Sequence, residues 1–284
     1  MKLRLGWILL RNSFIEWLED KAPRLGAALA YYTAFSLSPL LVIVIAMAGL
    51  VFGQEAAEGQ IIAQMQGLVG QDGAQAIAAM VQNARKPSSG IIATVVGLAT
   101  LLLGATGVFG ELRDALNTIW EVQPKPGRGL AGLIKDRFLS FTMVLAVGFL
   151  LLVSLSVSAG LAAMGRFLGS MLPGLVILSQ IINFVVSFSV IGMLFALIYR
   201  YLPDLKIPWH DVWIGAALTA GLFEIGKFLI GFYLGNSSIS SAYGAASSLA
   251  IILVWIYYSA QIFLLGAEFT HVYAKHRESP LALR

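Results

Sequence analysis

Six stretches of about 20 or more predominantly apolar residues, each bounded by charges, prolines or glycines, dominate this chain of 284 residues. An α-helix rises about 1.5 Å per residue, so about 20 apolar residues cross the roughly 30 Å of hydrocarbon in a bilayer. Only 12% of the residues are charged, whereas soluble domains carry about 25%. We therefore predict an all-α integral membrane protein, a bundle of six transmembrane helices. The predicted spans are residues 27–52, 90–109, 139–164, 174–199, 212–234 and 246–269.

Basic residues are distributed unevenly over the segments between these spans. Of the 19 lysines and arginines, fifteen lie in the N-terminal arm, the second and fourth loops and the C-terminal tail. Three lie in the remaining loops, and Lys227 lies inside a span. Because cytoplasmic loops carry the excess of Lys and Arg, this pattern predicts that both termini are cytoplasmic. It also explains the net charge of +4 without a nucleic acid partner.

Two amphipathic segments complete the predicted architecture. In residues 1–26, apolar side chains recur at three- and four-residue steps, which is typical of a helix lying in the membrane interface. Residues 54–89 carry apolar residues on two helical faces separated by a break at Asp72 and Gly73, which predicts an extracytoplasmic helical hairpin that caps the bundle or gates it. The transmembrane domain is then residues 27–270, followed by a cytoplasmic tail over residues 271–284.

Ionisable residues inside the spans are the first candidates for a functional site. Glu224 and Lys227 lie in the fifth span, where an ionisable side chain costs about 2.5–3.5 kcal/mol on insertion scales. Their three-residue spacing places them on one helical face, as a structural pair or as a substrate or proton site. Glu268 lies near the cytoplasmic end of the last span, where solvation at the interface competes with a functional role.

The first span contains Pro39, which lacks the N–H group that a helix interior requires. We expect the helix to kink or loosen there, with the neighbouring serines recovering the lost hydrogen bonding, for packing or as a hinge. Tyr31 and Tyr32 precede the proline by two turns, and they belong to an interfacial aromatic belt or line a pocket.

A polar stripe runs along the fourth span. Ser179, Asn183 and Ser187 recur every four residues, so they share one face of an otherwise apolar helix. The stripe either hydrogen-bonds to neighbouring helices or lines an aqueous path. Gln261 in the last span completes the predicted substrate or transport candidates.

The sequence lacks the motifs of several enzyme classes. It has no cysteine, and its three histidines form no His-Glu-x-x-His motif. It has neither a glycine-rich phosphate loop nor a Gly-x-Ser-x-Gly elbow. No predicted cytoplasmic loop is much longer than about 30 residues, which leaves no soluble catalytic domain and excludes a single-chain ATP-driven pump. We expect no catalytic residue, no cofactor and no metal-ligand cluster.

Four stretches together resemble one family of membrane proteins. They are residues 24–39 (RLGAALAYYTAFSLSP), 107–120 (GVFGELRDALNTIW), 202–227 (containing LPD, PWHDVW and FEIGK) and 241–269 (containing SAYGAA, YYSAQI and GAEF). In combination they are similar to the YihY/BrkB family of bacterial inner-membrane proteins. The resemblance implies six spans, a multi-pass place in the bacterial inner membrane and a role in envelope integrity. The family also carries an older label as a tRNA-processing ribonuclease, ribonuclease BN, against which the missing metal-ligand motif and nuclease domain argue.

The leading functional hypothesis is a transporter or flippase-like exporter of a lipid or another amphiphilic or anionic envelope component. Polar residues within the spans and an interrupted first helix are typical of such proteins. The alternative is a non-transporting membrane scaffold or regulator, in which the same residues hold helices together. A membrane-embedded enzyme has less support. The expected partners are membrane lipids, including an amphiphilic substrate, and a homo-oligomer is left open.

Overall fold

The computed structural model of the chain describes residues 2–85, 107–122, 142, 174–236 and 247–278. The described residues are helical apart from a few short turns, and no strand occurs among them. The helices are α1 (Lys2–Glu19), α2 (Ala22–Phe52), α3 (Gln54–Arg85), α4 (residues 107–119), α5 (Gly174–Tyr201), α6 (Trp209–Asn236) and α7 (Ser247–Glu278).

Four of these helices contain segments that are long and apolar enough to cross a membrane. The segments are Ala22–Leu50, Phe184–Tyr201, Trp209–Ile230 and Ser247–Arg277. They correspond to the first, fourth, fifth and sixth predicted spans. Nearly all of the predicted spans 90–109 and 139–164 lies outside the described residues. The count of six and the cytoplasmic placement of both termini therefore stay predictions.

Helices α5, α6 and α7 meet at the buried side chain of Tyr199. Its hydroxyl donates to the Phe263 carbonyl oxygen at 2.7 Å and lies 3.1 Å from the hydroxyl of Thr219. One side chain from α5 is thereby hydrogen-bonded to both α6 and α7. Because a buried hydroxyl without a partner is costly, these contacts favour a single arrangement of the three helices.

Helices α6 and α7 approach closely through two reciprocal contacts. A β-carbon added at Gly215 would overlap the side chain of Thr270, and one added at Gly266 would overlap that of Thr219. Each threonine donates to a carbonyl oxygen in its own helix, Thr219 to Gly215 and Thr270 to Gly266, both at 2.7 Å. Glycine on one helix therefore makes room for threonine on the other, which is a packing mode common between membrane helices.

Helix α3 is divided at Gly70, whose φ of 76° and ψ of 178° are not helical. This φ lies in a region that L side chains rarely adopt, so glycine permits the break. Ile61 before the break and Val81 after it pack into one apolar cluster with Ile45 of α2 and Ile252 of α7. The structure thus places the break two residues before the Asp72 position predicted from the sequence.

A polar clamp holds α4 to the loop between α5 and α6. The Arg113 guanidinium lies 2.5 Å from a carboxylate oxygen of Asp204, and the Asn117 amide nitrogen donates to the other oxygen at 3.0 Å. The Asp204 backbone N–H donates in turn to the Asn117 side-chain oxygen at 2.9 Å. The second and third sequence stretches that carry the family resemblance therefore meet in space.

Helix α1 packs on α7 through one face. Leu9 is buried in a small cluster with Phe269 and Val272 of α7. The other face carries exposed apolar side chains, with Trp7 69% and Phe14 52% exposed. Apolar exposure on one face of this helix supports the predicted interfacial position, which itself stays a prediction.

Candidate functional site

A cavity of about 220 Å³ lies among the described helices α2 to α7. Each of these helices contributes at least one side chain to its wall. The described lining residues are Leu29, Thr33 and Leu37 of α2, Met65, Val69 and Ile77 of α3, Leu112 of α4, Phe195 of α5, Phe223 of α6, and Ile252, Trp255, Ile256, Ser259, Ala260 and Phe263 of α7.

The wall of this cavity is almost entirely apolar. Among its described lining residues, only Thr33, Ser259 and Trp255 carry a polar side-chain group. The Trp255 nitrogen is buried and has no hydrogen-bond partner among the described residues. The rings of Phe223 and Trp255 meet edge to face with their centroids 6.3 Å apart. Such a wall suits a hydrocarbon group better than a sugar, an ion or a nucleotide.

The volume sets a limit on the group that fits. A dry cavity of about 150 Å³ lined by Leu, Ile and Phe binds benzene, whereas pockets for whole drug-sized ligands span about 300–1,000 Å³. At about 220 Å³, this cavity has room for part of an acyl chain and not for a whole lipid.

The candidate residues predicted from the sequence do not line this cavity where their side chains are described. Lys227 Nζ lies 2.7 Å from Glu224 Oε2, so the two charges of α6 pair with each other. Lys227 is 35% exposed and Glu224 is 17% exposed. The geometry supports a self-neutralising pair, in which Glu224 directly follows the cavity residue Phe223 and Lys227 lies about one turn further along α6.

Helix α2 is assigned as continuous across Pro39 from Ala22 to Phe52. The Ser38 hydroxyl, which we expected to restore hydrogen bonding within α2, instead donates to the Met80 carbonyl oxygen of α3 at 3.0 Å. Tyr31 and Tyr32 are exposed outside the cavity, although Thr33 lines it. Their positions favour the aromatic-belt interpretation over pocket lining.

The polar stripe of α5 is described only in part. Ser187 is half-buried, whereas the side chains of Ser179 and Asn183 lie outside the described residues. Gln261 of α7 packs against Gly26 of α2, where a β-carbon would overlap its amide nitrogen. Both polar atoms of the Gln261 side chain are buried without a hydrogen-bond partner among the described residues.

Glu268 of α7 is fully buried, and the described residues supply no hydrogen-bond donor to either of its carboxylate oxygens. It is in side-chain contact with Asp20, a second carboxyl group. Two carboxylates cannot hydrogen-bond to each other unless they share a proton, because an ionised carboxylate has only acceptors. Because its side chain is fully buried, Glu268 lies in the protein interior and not in the solvated interface that the sequence suggested.

Glu268 lies in a larger cluster where α1 meets α7. One ligand atom from each of Glu16, Glu268 and His271 lies within 4.8 Å of the other two. The expectation of no metal-ligand cluster rested on spacing along the sequence, and it missed this group because two helices far apart in the chain supply it. The available signal was weak: Glu16 and Asp20 lie four residues apart, and Glu268 and His271 three.

Burial affects the acids of α1 and the turn that follows it. It raises the pKa of the Glu16 carboxyl above 4.5, and nearby Lys275 opposes that rise. Burial also raises the pKa of Asp20 above 3.8, although the adjoining Glu268 carboxyl opposes the rise and the charges of Glu121 and Glu19 add to it. Both groups therefore hold a proton more strongly than in an unfolded chain.

Comparisons with known proteins agree with the membrane architecture. The family model described as virulence factor BrkB matches residues 13–283. A UPF0761 membrane protein of Alkalilimnicola ehrlichii is 31% identical over 254 residues, covering 88% of this chain and 54% of the relative. Another from Teredinibacter turnerae is 28% identical over 284 residues, covering 96% of this chain and 62% of the relative. The chain thus spans little more than half the length of these relatives. No solved structure shows significant similarity to it.

Proposed function

The chain belongs to the virulence factor BrkB family, and from this premise we propose that it transports a lipid or a similar amphiphile across the bacterial inner membrane. In this proposal the central cavity takes up part of the apolar chain of the substrate. The protein would export an envelope component by moving it from one leaflet of the membrane to the other, as a flippase does.

The single observation that carries the proposal is the apolar cavity of about 220 Å³ between α2, α3, α4, α5, α6 and α7. A bundle in a bilayer has lipid tails at its surface, so an acyl chain is the most abundant group that suits such a wall. The two hydroxyls and the indole N–H provide few groups to bind a polar solute, which makes a hydrophilic substrate a poor fit.

The surroundings of the cavity add support for an amphiphile. Met65, Val69 and Ile77 of α3 close one side of it, and α3 comes from the segment predicted to lie outside the membrane. On α6, Glu224 directly follows the cavity residue Phe223 and pairs with Lys227. The pair lies outside the cavity wall, so it gives the region beside the cavity a polar surface without binding the part of the substrate inside it.

One observation favours a non-transporting scaffold or regulator instead. The described polar candidates pair within their own helix or lie away from the cavity wall. In a scaffold, the cavity would be a packing defect or would hold a lipid permanently, without moving it across the bilayer.

Lipid movement in vesicles separates these two functions. The full chain would be reconstituted into liposomes of phosphatidylethanolamine and phosphatidylglycerol containing fluorescent lipids with neutral, zwitterionic and anionic headgroups. We expect fluorescent lipid from the inner leaflet to become accessible to an external, membrane-impermeant quencher faster than in protein-free vesicles, for at least one headgroup. If the protein accelerates none of them, with or without an ion gradient, transport is excluded and the scaffold function stands.

A further inference from the structure

We propose that Glu16, Glu268 and His271 form a binding site for one divalent transition-metal ion that joins α1 to α7. The site lies outside the central cavity, and none of its three side chains lines that cavity. This inference is therefore independent of the transport proposal, and each can fail without the other.

Three unsatisfied groups converge at this point. Among the described residues, Glu16 Oε2, both carboxylate oxygens of Glu268 and His271 Nδ1 are buried without a hydrogen-bond partner. His271 Nδ1 lies 3.7 Å from Glu16 Oε2. Glu268 is fully buried, so its oxygens are removed from bulk water, and a buried polar group without a partner is costly. A bound cation would satisfy all three residues at once.

The charge balance also favours a cation. Glu16, Asp20 and Glu268 bring three carboxyl groups together, and Glu121 adds a fourth at the exposed edge. The Lys275 ammonium lies 3.9 Å from both Glu16 and Glu121, too far for a good hydrogen bond. If Glu268 is ionised, one distant ammonium leaves its buried charge uncompensated, which is strongly unfavourable in a protein interior unless a cation binds.

The ligand set indicates the class of ion. Two carboxylates with one imidazole suit Mn²⁺, Fe²⁺ or Zn²⁺, whereas Ca²⁺ and Mg²⁺ prefer oxygen ligands alone. Ligands held about 2.0–2.2 Å from one ion are at most about 4.4 Å apart, so the 4.8 Å grouping needs only a small side-chain rotation to close.

Neighbouring side chains support the three ligands. The ring of Trp120 packs against the His271 ring with the centroids 5.0 Å apart, which restricts the orientation of the imidazole. The Asp20 carboxyl contacts Glu268 from the turn between α1 and α2. Outer groups of this kind orient metal ligands, and their loss typically weakens metal binding about 10- to 100-fold.

The test uses the full chain in detergent, with any affinity tag removed and bound metal stripped with EDTA. Mn²⁺ would be titrated in while electron paramagnetic resonance reports the free ion. We expect one saturable ion per chain, with affinity reduced at least about tenfold in Glu268→Gln and His271→Gln. Glu19→Gln, which removes an exposed carboxylate from the same end of α1, is the matched control and should bind like the wild type.

Two further readouts keep the proposal falsifiable if a variant is altered in stability. Electron spin-echo spectra of bound Mn²⁺ should show nitrogen coupling from an imidazole that His271→Gln abolishes. Mn²⁺ or Zn²⁺ should raise the Tm of the wild type and of Glu19→Gln but not that of Glu268→Gln. The proposal is overturned if the wild type binds neither ion saturably, or if Glu268→Gln, monodisperse on size exclusion, binds as tightly as the wild type.

Discussion

The Arg113 guanidinium lies 2.5 Å from the carboxylate of Asp204, although 91 positions separate the two residues in the chain. Asn117 holds the same carboxylate at 3.0 Å and accepts a hydrogen bond from the Asp204 backbone. The pair fixes α4 against the loop between α5 and α6, and therefore positions Leu112 of α4 at the cavity wall.

Replacing Asp204 should loosen this clamp. Asp204→Ala leaves the Arg113 charge and the Asn117 amide without this carboxylate, and we expect the free energy of unfolding to fall by about 1–3 kcal/mol. Thermal unfolding of the purified chain in detergent measures the effect. Lys206→Ala, an exposed change in the same loop, is the control. Equal Tm values for Asp204→Ala and Lys206→Ala would contradict the role of the clamp.

The Glu224–Lys227 pair should behave as a structural unit. Glu224→Gln or Lys227→Met alone leaves one charge unpaired in an apolar region, so each should lower the Tm more than the double variant does. A double-mutant cycle should give a coupling of about 0.5–3 kcal/mol. Because the pair does not line the cavity, lipid movement per folded protein should change little. A loss of lipid movement at unchanged Tm would instead identify a substrate or proton site.

The contact between Gly266 and Thr219 should tolerate no added carbon. Alanine is a better helix former than glycine by about 1 kcal/mol, so Gly221→Ala, where the space is open, should be neutral or stabilising. Gly266→Ala places a methyl group against Thr219 and Tyr199 and should cost about 1–3 kcal/mol. Chemical unfolding measures the free energy of unfolding of both variants. Similar free energies for Gly221→Ala and Gly266→Ala would contradict the close packing of α6 against α7.

The fold was predictable from the sequence to the extent that it depends on local patterns. Helix length and apolar content identified the helices that contain Tyr31, Ser187, Glu224 and Glu268. A membrane helix makes its backbone hydrogen bonds within its own segment, so its presence can be predicted from that segment alone. The exact break in α3 was missed by two residues, since Gly70 and Gly73 are both glycines that can adopt a positive φ, and only the structure shows that Gly70 does so. The close approach of α6 and α7 at Gly215 and Gly266 was not predicted, although each glycine precedes a threonine by four residues, a spacing of small residues common between membrane helices.

The candidate site was less predictable because it depends on which helices become neighbours. Sequence reasoning selected polar residues, yet the cavity is lined by residues such as Phe223 and Trp255 that look like ordinary core. Glu268 was recognised as unusual, and His271 lies three residues later on the same helix, but Glu16 comes from α1, whose contact with α7 no local pattern reveals. Asp20 was not recognised as part of the site for the same reason.

The α1–α7 acid cluster should make stability depend on pH. Between the usual pKa values, 3.8 for Asp20 and 4.5 for Glu16, and the raised values in the folded state, the folded protein binds more protons than the unfolded chain. The free energy of unfolding therefore falls as the pH rises through this range. In EDTA, the Tm should decrease from about pH 4 towards neutrality.

Asp20→Asn should flatten this pH dependence, whereas Glu55→Gln on α3 should leave it unchanged. Mn²⁺ should oppose the fall at higher pH, because metal ligands must be deprotonated. A Tm that rises with pH in EDTA, and does so equally in Asp20→Asn, would contradict the assignment of raised pKa values to this cluster.

The most direct test of the central claim is the rate of lipid movement when the cavity alone is filled. Ser259→Phe adds a ring inside the cavity, and Ile225→Phe adds one on the exposed face of α6, where Ile225 is 61% exposed. With both variants folded and reconstituted at equal density, we predict that Ser259→Phe moves lipid at least about tenfold more slowly than the wild type, a barrier increase of about 1.4 kcal/mol, while Ile225→Phe matches the wild type. Equal rates for all three proteins would contradict a path through the cavity.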